Sequence, residues 1–263
     1  MTSKMFLIDL DGTLYRGSVP IPNARSLIHF LRDQGIAHLF TTNCPQYSPA
    51  RIAQKLNRMG IPARPEQILS PAVCMGSYLK KRNLESAFVV GSSYLSACLA
   101  QAGIQIDHET PQCVVVGHTE RVNYAKIRQA CIHLQRNPVL ISANPDHSIP
   151  YKDSIVPHTG ALVAYIQAVC PVEAECVGKP ERYMLDYIIR QTGCSVKNLC
   201  IIGDNPVTDI AWGNRFGIET YLVNNHGPDS AEPERRPTRR FEDLAELLLF
   251  LRGECGEALP SGA

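Results

Sequence analysis

Short apolar runs alternate along this chain with longer stretches in which apolar residues recur every three or four positions. The first run, Phe6-Leu7-Ile8, ends abruptly in Asp9-Leu10-Asp11-Gly12. Runs of this length, bounded by turn residues, predict buried strands of a parallel sheet. Helical spacing follows in Leu27, Ile28, Phe30 and Leu31, predicting a helix over 24–34 that Gly35 stops. A second strand is predicted over 36–40, ending in Thr41-Thr42-Asn43-Cys44-Pro45, and a second helix over 49–59. Strand, helix, strand, helix is the pattern of right-handed crossovers.

From about Val73 the grain changes. Helices are predicted over 72–81, 95–102, 124–136 and 160–169, and strands over 87–91, 112–117 and 138–143. This middle region is α/β in its own right and long enough to carry its own core. The opening rhythm then returns. Gly178-Lys179-Pro180 leads into a helix through Gln191, and the strand 199–203 ends in Asp204-Asn205-Pro206-Val207-Thr208-Asp209. A further strand is predicted over 218–223 and a last helix over 241–251, with the residues after Gly253 frayed. Between them, 228–240 is rich in Pro and Arg and is predicted as an exposed loop whose Arg235, Arg236, Arg239 and Arg240 are solvated.

Composition narrows the classes. The 263 residues are 44% hydrophobic and 19% charged, as in an ordinary globular protein. A formal net charge of +1 argues against a broad nucleic-acid or membrane footprint. No apolar run approaches the roughly 18 residues of a membrane span. The strand pattern starts almost at the N-terminus, unlike a signal peptide, so a cytoplasmic location is expected. The ten cysteines are scattered without a C-x-x-C pair, mostly inside apolar runs, and read as reduced core residues.

Against that background, Asp9 and Asp11 stand out. Parallel sheets bind ligands beyond the carboxyl ends of their strands, and extended geometry puts both carboxylates on one side. Two carboxylates in one cleft call for a cation or a shared proton. Taken alone, the stretch serves equally well as a turn closed by Asx hydrogen bonds. Two other strands in the same half end likewise in polar residues: Thr42 and Asn43 after one, Asp204 after the other, with Asp209 a turn beyond. Helix capping explains each singly, but not their common place at strand ends. Acidic residues suit a hard cation with oxygen ligands, above all Mg²⁺, while Thr42, Asn43 and Lys179 suit the oxygens of a phosphate.

In order along the chain, Asp9-Leu10-Asp11-Gly12-Thr13, Thr42-Asn43, Gly178-Lys179-Pro180 and Gly203-Asp204 through Thr208-Asp209-Ile210 resemble the four motifs of the haloacid dehalogenase (HAD) superfamily. Leu14-Tyr15-Arg16-Gly17, Ala143-Asn144-Pro145-Asp146 and Gly160-Ala161-Leu162 extend the resemblance to subfamily IIA, which holds p-nitrophenylphosphatases, ribonucleotide monophosphatases and pyridoxal phosphatases. The resemblance covers nearly the whole chain. It implies a Rossmann-like parallel-sheet core, residues 1–77 and 174–263, with an inserted α/β cap domain over 78–173. It implies a Mg²⁺-dependent phosphatase that hydrolyses a small phosphorylated metabolite through an aspartyl-phosphate. Asp9 would be the nucleophile and Asp11 the general acid and base. Asp9, Asp204 and the Asp11 carbonyl would hold the metal, Thr42, Asn43 and Lys179 would bind the phosphoryl oxygens, and Asp209 would support that shell. Asn144, Asp146 and His147, in a cap loop, are candidates for substrate discrimination, with an ordinary Asx-Pro turn as the other reading. Caps of this branch often pair, so a homodimer through the cap is a further implication. Two departures stand out: Cys44-Pro45 replaces a usual second asparagine, and Pro206-Val207 occupies a place where polar residues are frequent. A mutase-like phosphotransferase on the same fold, and a regulatory protein that binds a phosphometabolite without turnover, are the alternative functions.

Overall fold

The computed structural model describes residues 4–151, 154–228 and 230–256. The part of the C-terminal segment beyond Gly256, where fraying is expected, lies outside the described residues. The chain divides into two compact units, each α/β.

The first unit comprises Met1–Thr42, Pro49–Leu69 and Ile188–Ala263. Its sheet has six strands in the order Arg239–Arg240, Glu219–Leu222, Leu199–Gly203, Met5–Asp9, His38–Thr41, Ile68–Leu69. Every pairing is parallel. Phe6, Leu7 and Ile8 are fully buried, as are all five residues of Leu199–Gly203, because crossover helices cover both faces of a parallel sheet. The helices Ala24–Asp33 and Leu244–Glu254 bury Leu27, Ile28, Leu31, Leu244, Leu247 and Leu251 at helical spacing.

The second unit comprises Asn43–Ser48 and Ser70–Tyr187. Its sheet is also wholly parallel, in the order Ala174–Cys176, Leu140–Ser142, Cys113–Val116, Ser86–Val90, Gln105–Ile106. Phe88, Val90, Val114, Val116, Ile127, Leu134 and Ile166 form its core. Pairing of Ala174–Cys176 with Leu140–Ser142 is why this unit extends past residue 173. At the other end it takes in the helix Pro71–Lys81, where a Cβ on Gly76 would lie 2.3 Å from the Ala102 Cβ, a close approach that only glycine permits. The hairpin Ser148–Tyr151 with Ser154–Pro157 has no counterpart among the predicted elements.

None of the ten cysteines is in a disulfide. Burial pushes the Cys113 thiol up to about 12 and that of Cys176 to about 12. Burial, helped by the adjacent Cys170, takes Cys131 to about 11. Cys113 and Cys131 are buried core residues, whereas Cys176, like Cys44, Cys98, Cys194 and Cys255, is only half-buried. Most described residues of the Arg-rich stretch 228–240 are exposed, as expected, but parts of it are tied down. Arg239–Arg240 is the edge strand of the first sheet, Arg239 lies over the Phe250 ring, and Arg235 pairs with Glu232. Among the described residues, no helix is long and apolar enough to cross a membrane.

Candidate active site

Strand order in the first sheet reverses at Met5–Asp9. The chain steps outward on one side through His38–Thr41 and Ile68–Leu69, then returns to lay Leu199–Gly203 on the other side. Such a switch point opens a crevice beyond the carboxyl end of the central strand. In register, Ile8 lies between Phe40 and Ile202, and Asp9 opposite Thr41. Asp9 and Asp204 therefore leave adjacent strands at the same end of the sheet.

The carboxylates of Asp9, Asp204 and Asp209 converge there, with oxygens all within 4.8 Å of one another. Asp9 and Asp209 are buried and Asp204 half-buried. Asn205 starts the π-type turn Pro206–Ile210 by capping the Val207 N–H at 2.9 Å, and that turn brings Asp209 back beside the strand. The Asn205 N–H donates to Asp209 Oδ2 at 3.3 Å. Two glycines leave room for the cluster. A Cβ on Gly203 would stand 2.4 Å from Asp209 Oδ2, and one on Gly12 would stand 2.2 Å from Asp204 Oδ2. Gly12 also has φ +90°, a backbone region that side chains disfavour. The Thr13 hydroxyl lies 3.1 Å from Asp9 Oδ2 and 2.9 Å from Asp204 Oδ1. It has one proton for two anions. Converging carboxylates repel unless a cation neutralises them, and an all-oxygen donor set fits a hard divalent ion such as Mg²⁺.

Asp11 is placed differently. Its side chain is exposed and accepts a hydrogen bond from the Tyr15 hydroxyl at 2.9 Å. The Tyr15 ring is buried, with the Lys55 ammonium 3.7 Å from its centroid. Thr42 is buried, and its N–H donates to the Leu69 carbonyl at 3.0 Å. Thr13, Asn224 and Asn225 carry no individual role in the sequence pattern alone. Asn224 Nδ2 donates to the Gly12 and Thr13 carbonyls at 3.2 and 3.0 Å. Asn225 Nδ2 donates to the Asp204 carbonyl at 2.9 Å, and Arg240 holds the Asn225 carbonyl at 2.7 Å. The available signal was the same as for the other loops: a polar pair directly after an apolar strand of the sheet.

The remaining predicted residues belong to the second unit. Lys179 is among its largest fully buried side chains. Asn43 grips the Lys179 main chain from both sides and reaches Asp146. Asn144 is fully buried and bonded to Asn43, Asp146, His158 and Thr159. The His147 side chain is exposed, while its carbonyl accepts the His158 N–H at 2.9 Å.

His158 stacks on His118, with centroids 4.4 Å apart and planes 20° from parallel. Burial, helped by the facing His118 ring, pushes the His158 imidazole down to about 4. Burial lowers His118 as well, against the opposing pull of Glu120. The folded His158 thus resists a proton that the unfolded chain takes up near 6.5. Its contribution to stability is complete above pH 6.5 and is lost as pH falls toward 4, by up to about 3 kcal/mol. Denaturant titrations at pH 7 and pH 4.5 should show a larger loss for wild type than for His158→Gln. Equal losses would remove His158 as the cause.

Two family models match this chain: a haloacid dehalogenase-like hydrolase model over residues 6–105 and a HAD-hydrolase-like model over residues 176–247. The acid sugar phosphatase of Staphylococcus aureus (strain USA300) is 32% identical over 253 residues, covering 94% of this chain and 98% of that protein. A thermostable NPPase variant from Geobacillus stearothermophilus has a solved structure that superposes with a TM-score of 0.85 at 32% identity, covering 94% of this chain and 98% of that one. The 4-nitrophenylphosphatase of Thermotoga maritima superposes with a TM-score of 0.85 at 26% identity, covering 93% and 96%. The chain therefore belongs to the haloacid dehalogenase-like hydrolases, in the subfamily IIA branch of HAD phosphatases.

Proposed function

We propose that this protein is a Mg²⁺-dependent phosphatase that hydrolyses a small phosphorylated metabolite through an aspartyl-phosphate on Asp9. The observation that carries this reading is the convergence of Asp9, Asp204 and Asp209 at the switch point of the first sheet. Relatives named for a sugar phosphate and for 4-nitrophenyl phosphate support a sugar or aromatic phosphate as substrate, and the subfamily resemblance adds a nucleotide monophosphate.

In this mechanism an Asp9 oxygen attacks phosphorus as the bond to the leaving oxygen breaks. Asp11 delivers a proton to that leaving oxygen, then takes one from the water that hydrolyses the acyl-phosphate, which restores Asp9 and frees phosphate. The Tyr15 hydroxyl, on Asp11 Oδ2, fixes the carboxyl that moves these protons. Asp9, Asp204 and the Asp11 carbonyl would hold Mg²⁺, with Asp209 beside them, and the bound ion supplies neutralisation of the phosphoryl charge. Thr42 and Lys179 offer donors to the phosphoryl oxygens, the electrostatic contribution that dominates phosphoryl transfer. Both side-chain donors of Asn43 are already engaged, so its part is a different one.

By the family pattern, residues 1–77 and 174–263 are the catalytic core and 78–173 the cap, with Asp146 and His147 in a substrate-discriminating loop. A homodimer through the cap belongs to the same reading. Cysteines kept as thiols favour a cytoplasmic location.

Purified protein with Mg²⁺ should release inorganic phosphate from p-nitrophenyl phosphate and from members of a sugar phosphate and nucleotide panel. Chelation by EDTA should stop release and added Mg²⁺ restore it. Product isomers without net phosphate would establish the mutase alternative instead. Binding of phosphate without turnover would establish the regulatory one.

A further inference from the structure

We propose that Asn43, Asn144 and His158 are positioning residues that fix the main chain of Lys179, so that Asn43 serves the phosphate through Lys179 and not as a phosphate ligand. The proposal rests on the reading of Lys179 as the phosphate-binding lysine and adds what holds it in place.

The hydrogen bonds leave little freedom. Asn43 Oδ1 accepts the Lys179 N–H at 2.9 Å, and Asn43 Nδ2 donates to the Lys179 carbonyl at 3.0 Å and to Asp146 Oδ2 at 3.0 Å. A primary amide has two N–H donors, and both are used. Its orientation is fixed as well, because a backbone N–H can only donate and a carbonyl can only accept. The chain can come this close only beside Gly178, where a Cβ would stand 2.7 Å from Asn43 Oδ1 and 2.6 Å from the Ala143 carbonyl. The N–H groups of Val177 and Gly178 donate to the Ser142 and Ala143 carbonyls at 3.0 and 2.9 Å, carrying the strand pairing up to Lys179.

Asn43 is held in turn by Asn144. Asn144 Nδ2 donates to the Asn43 carbonyl at 2.7 Å and to Thr159 Oγ1 at 3.1 Å. Its Oδ1 accepts the Asp146 N–H at 3.1 Å and bonds His158 Nδ1 at 3.2 Å. Those four bonds exhaust the amide, and the side chain is 0% exposed, so no capacity remains for a ligand. Because Asn144 Oδ1 can only accept, His158 must carry its proton on Nδ1, which fixes the tautomer. The stack on His118 sets the plane of that ring.

The result is a chain of hydrogen bonds with one orientation at each joint, from His158 through Asn144 and Asn43 to Lys179. A satisfied buried network over-determines the geometry of its members. For a charge that acts on a transferring phosphoryl group, a displacement of about 1 Å costs on the order of 10²-fold in rate.

A double-mutant cycle separates positioning from direct contact. Asn43→Ala, Lys179→Met and the double variant are assayed for kcat/KM on p-nitrophenyl phosphate with Mg²⁺, with inhibition by inorganic phosphate read in parallel. Asn43→Ala alone should lose about 10- to 100-fold. In the Lys179→Met background the same change should cost less than about 2-fold, since nothing remains to be positioned. Equal losses in both backgrounds would overturn the proposal and make Asn43 an independent ligand. An unchanged Lys179→Met enzyme is a different failure, that of the phosphate-binding role itself. Should Asn43→Ala not fold, His158→Ala and His158→Asn take its place in the cycle. His158→Ala should lower kcat, and the asparagine, whose Nδ2 stands where His158 Nδ1 donates to Asn144 Oδ1, should restore most of it; no restoration overturns the relay.

Discussion

Asp9→Asn is expected to lose at least about 10³-fold in phosphate release while keeping the fold. Asparagine matches aspartate in shape, so the buried end of Met5–Asp9 keeps its packing. Its Oδ1 can still accept the Thr13 hydroxyl, which lies 3.1 Å from Asp9 Oδ2. What disappears is the anionic oxygen proposed to attack phosphorus, and an amide oxygen is a poor substitute. A fully folded protein that no longer releases phosphate from p-nitrophenyl phosphate is the predicted outcome. Retained turnover would remove Asp9 from the reaction.

Asp204→Asn should separate metal binding from folding. Without metal, three carboxylates within 4.8 Å repel, so removing one charge is expected to raise the melting temperature by a few degrees. Mg²⁺ is expected to stabilise the wild-type protein by mass action on the folded state, and in Asp204→Asn that increment should largely vanish. kcat/KM should fall by roughly 10²- to 10³-fold at saturating Mg²⁺. Thermal melts of both proteins with and without Mg²⁺ give all the comparisons needed. Equal Mg²⁺ stabilisation of wild type and variant would place the ion elsewhere.

Elements with continuous apolar runs or a full helical period are legible in the amino-acid sequence. Leu199–Gly203 is wholly buried and reads as a strand at once, and Tyr124–Arg136 reads as a helix from its period alone. Ile68–Leu69, Gln105–Ile106, Ala174–Cys176 and Arg239–Arg240 do not, because two or three residues carry no period. Strand pairing is a backbone interaction, so even Arg239–Arg240 can complete a sheet edge, with one guanidinium laid over Phe250. At the site, the aspartates advertise themselves as charges ending apolar runs. Thr13, Asn224 and Asn225 act on neighbouring loops, and that adjacency exists only after the strands are ordered. Asn144 shows the same limit. Its place in a loop is open to a ligand contact or an Asx-Pro turn, and in the structure its amide makes the turn bond to the Asp146 N–H and further bonds to Asn43, Thr159 and His158 within its own unit.

The most direct test of the covalent role proposed for Asp9 uses Asp11→Asn with p-nitrophenyl phosphate and Mg²⁺. p-Nitrophenolate leaves without needing a proton, so phosphoryl transfer to the enzyme should proceed, while the water that clears it lacks its base. Acid quenching followed by peptide mass spectrometry should find the phosphoryl group on Asp9, with one p-nitrophenolate released per enzyme. A phosphoryl group on any other residue, or steady turnover with none trapped, would contradict the account.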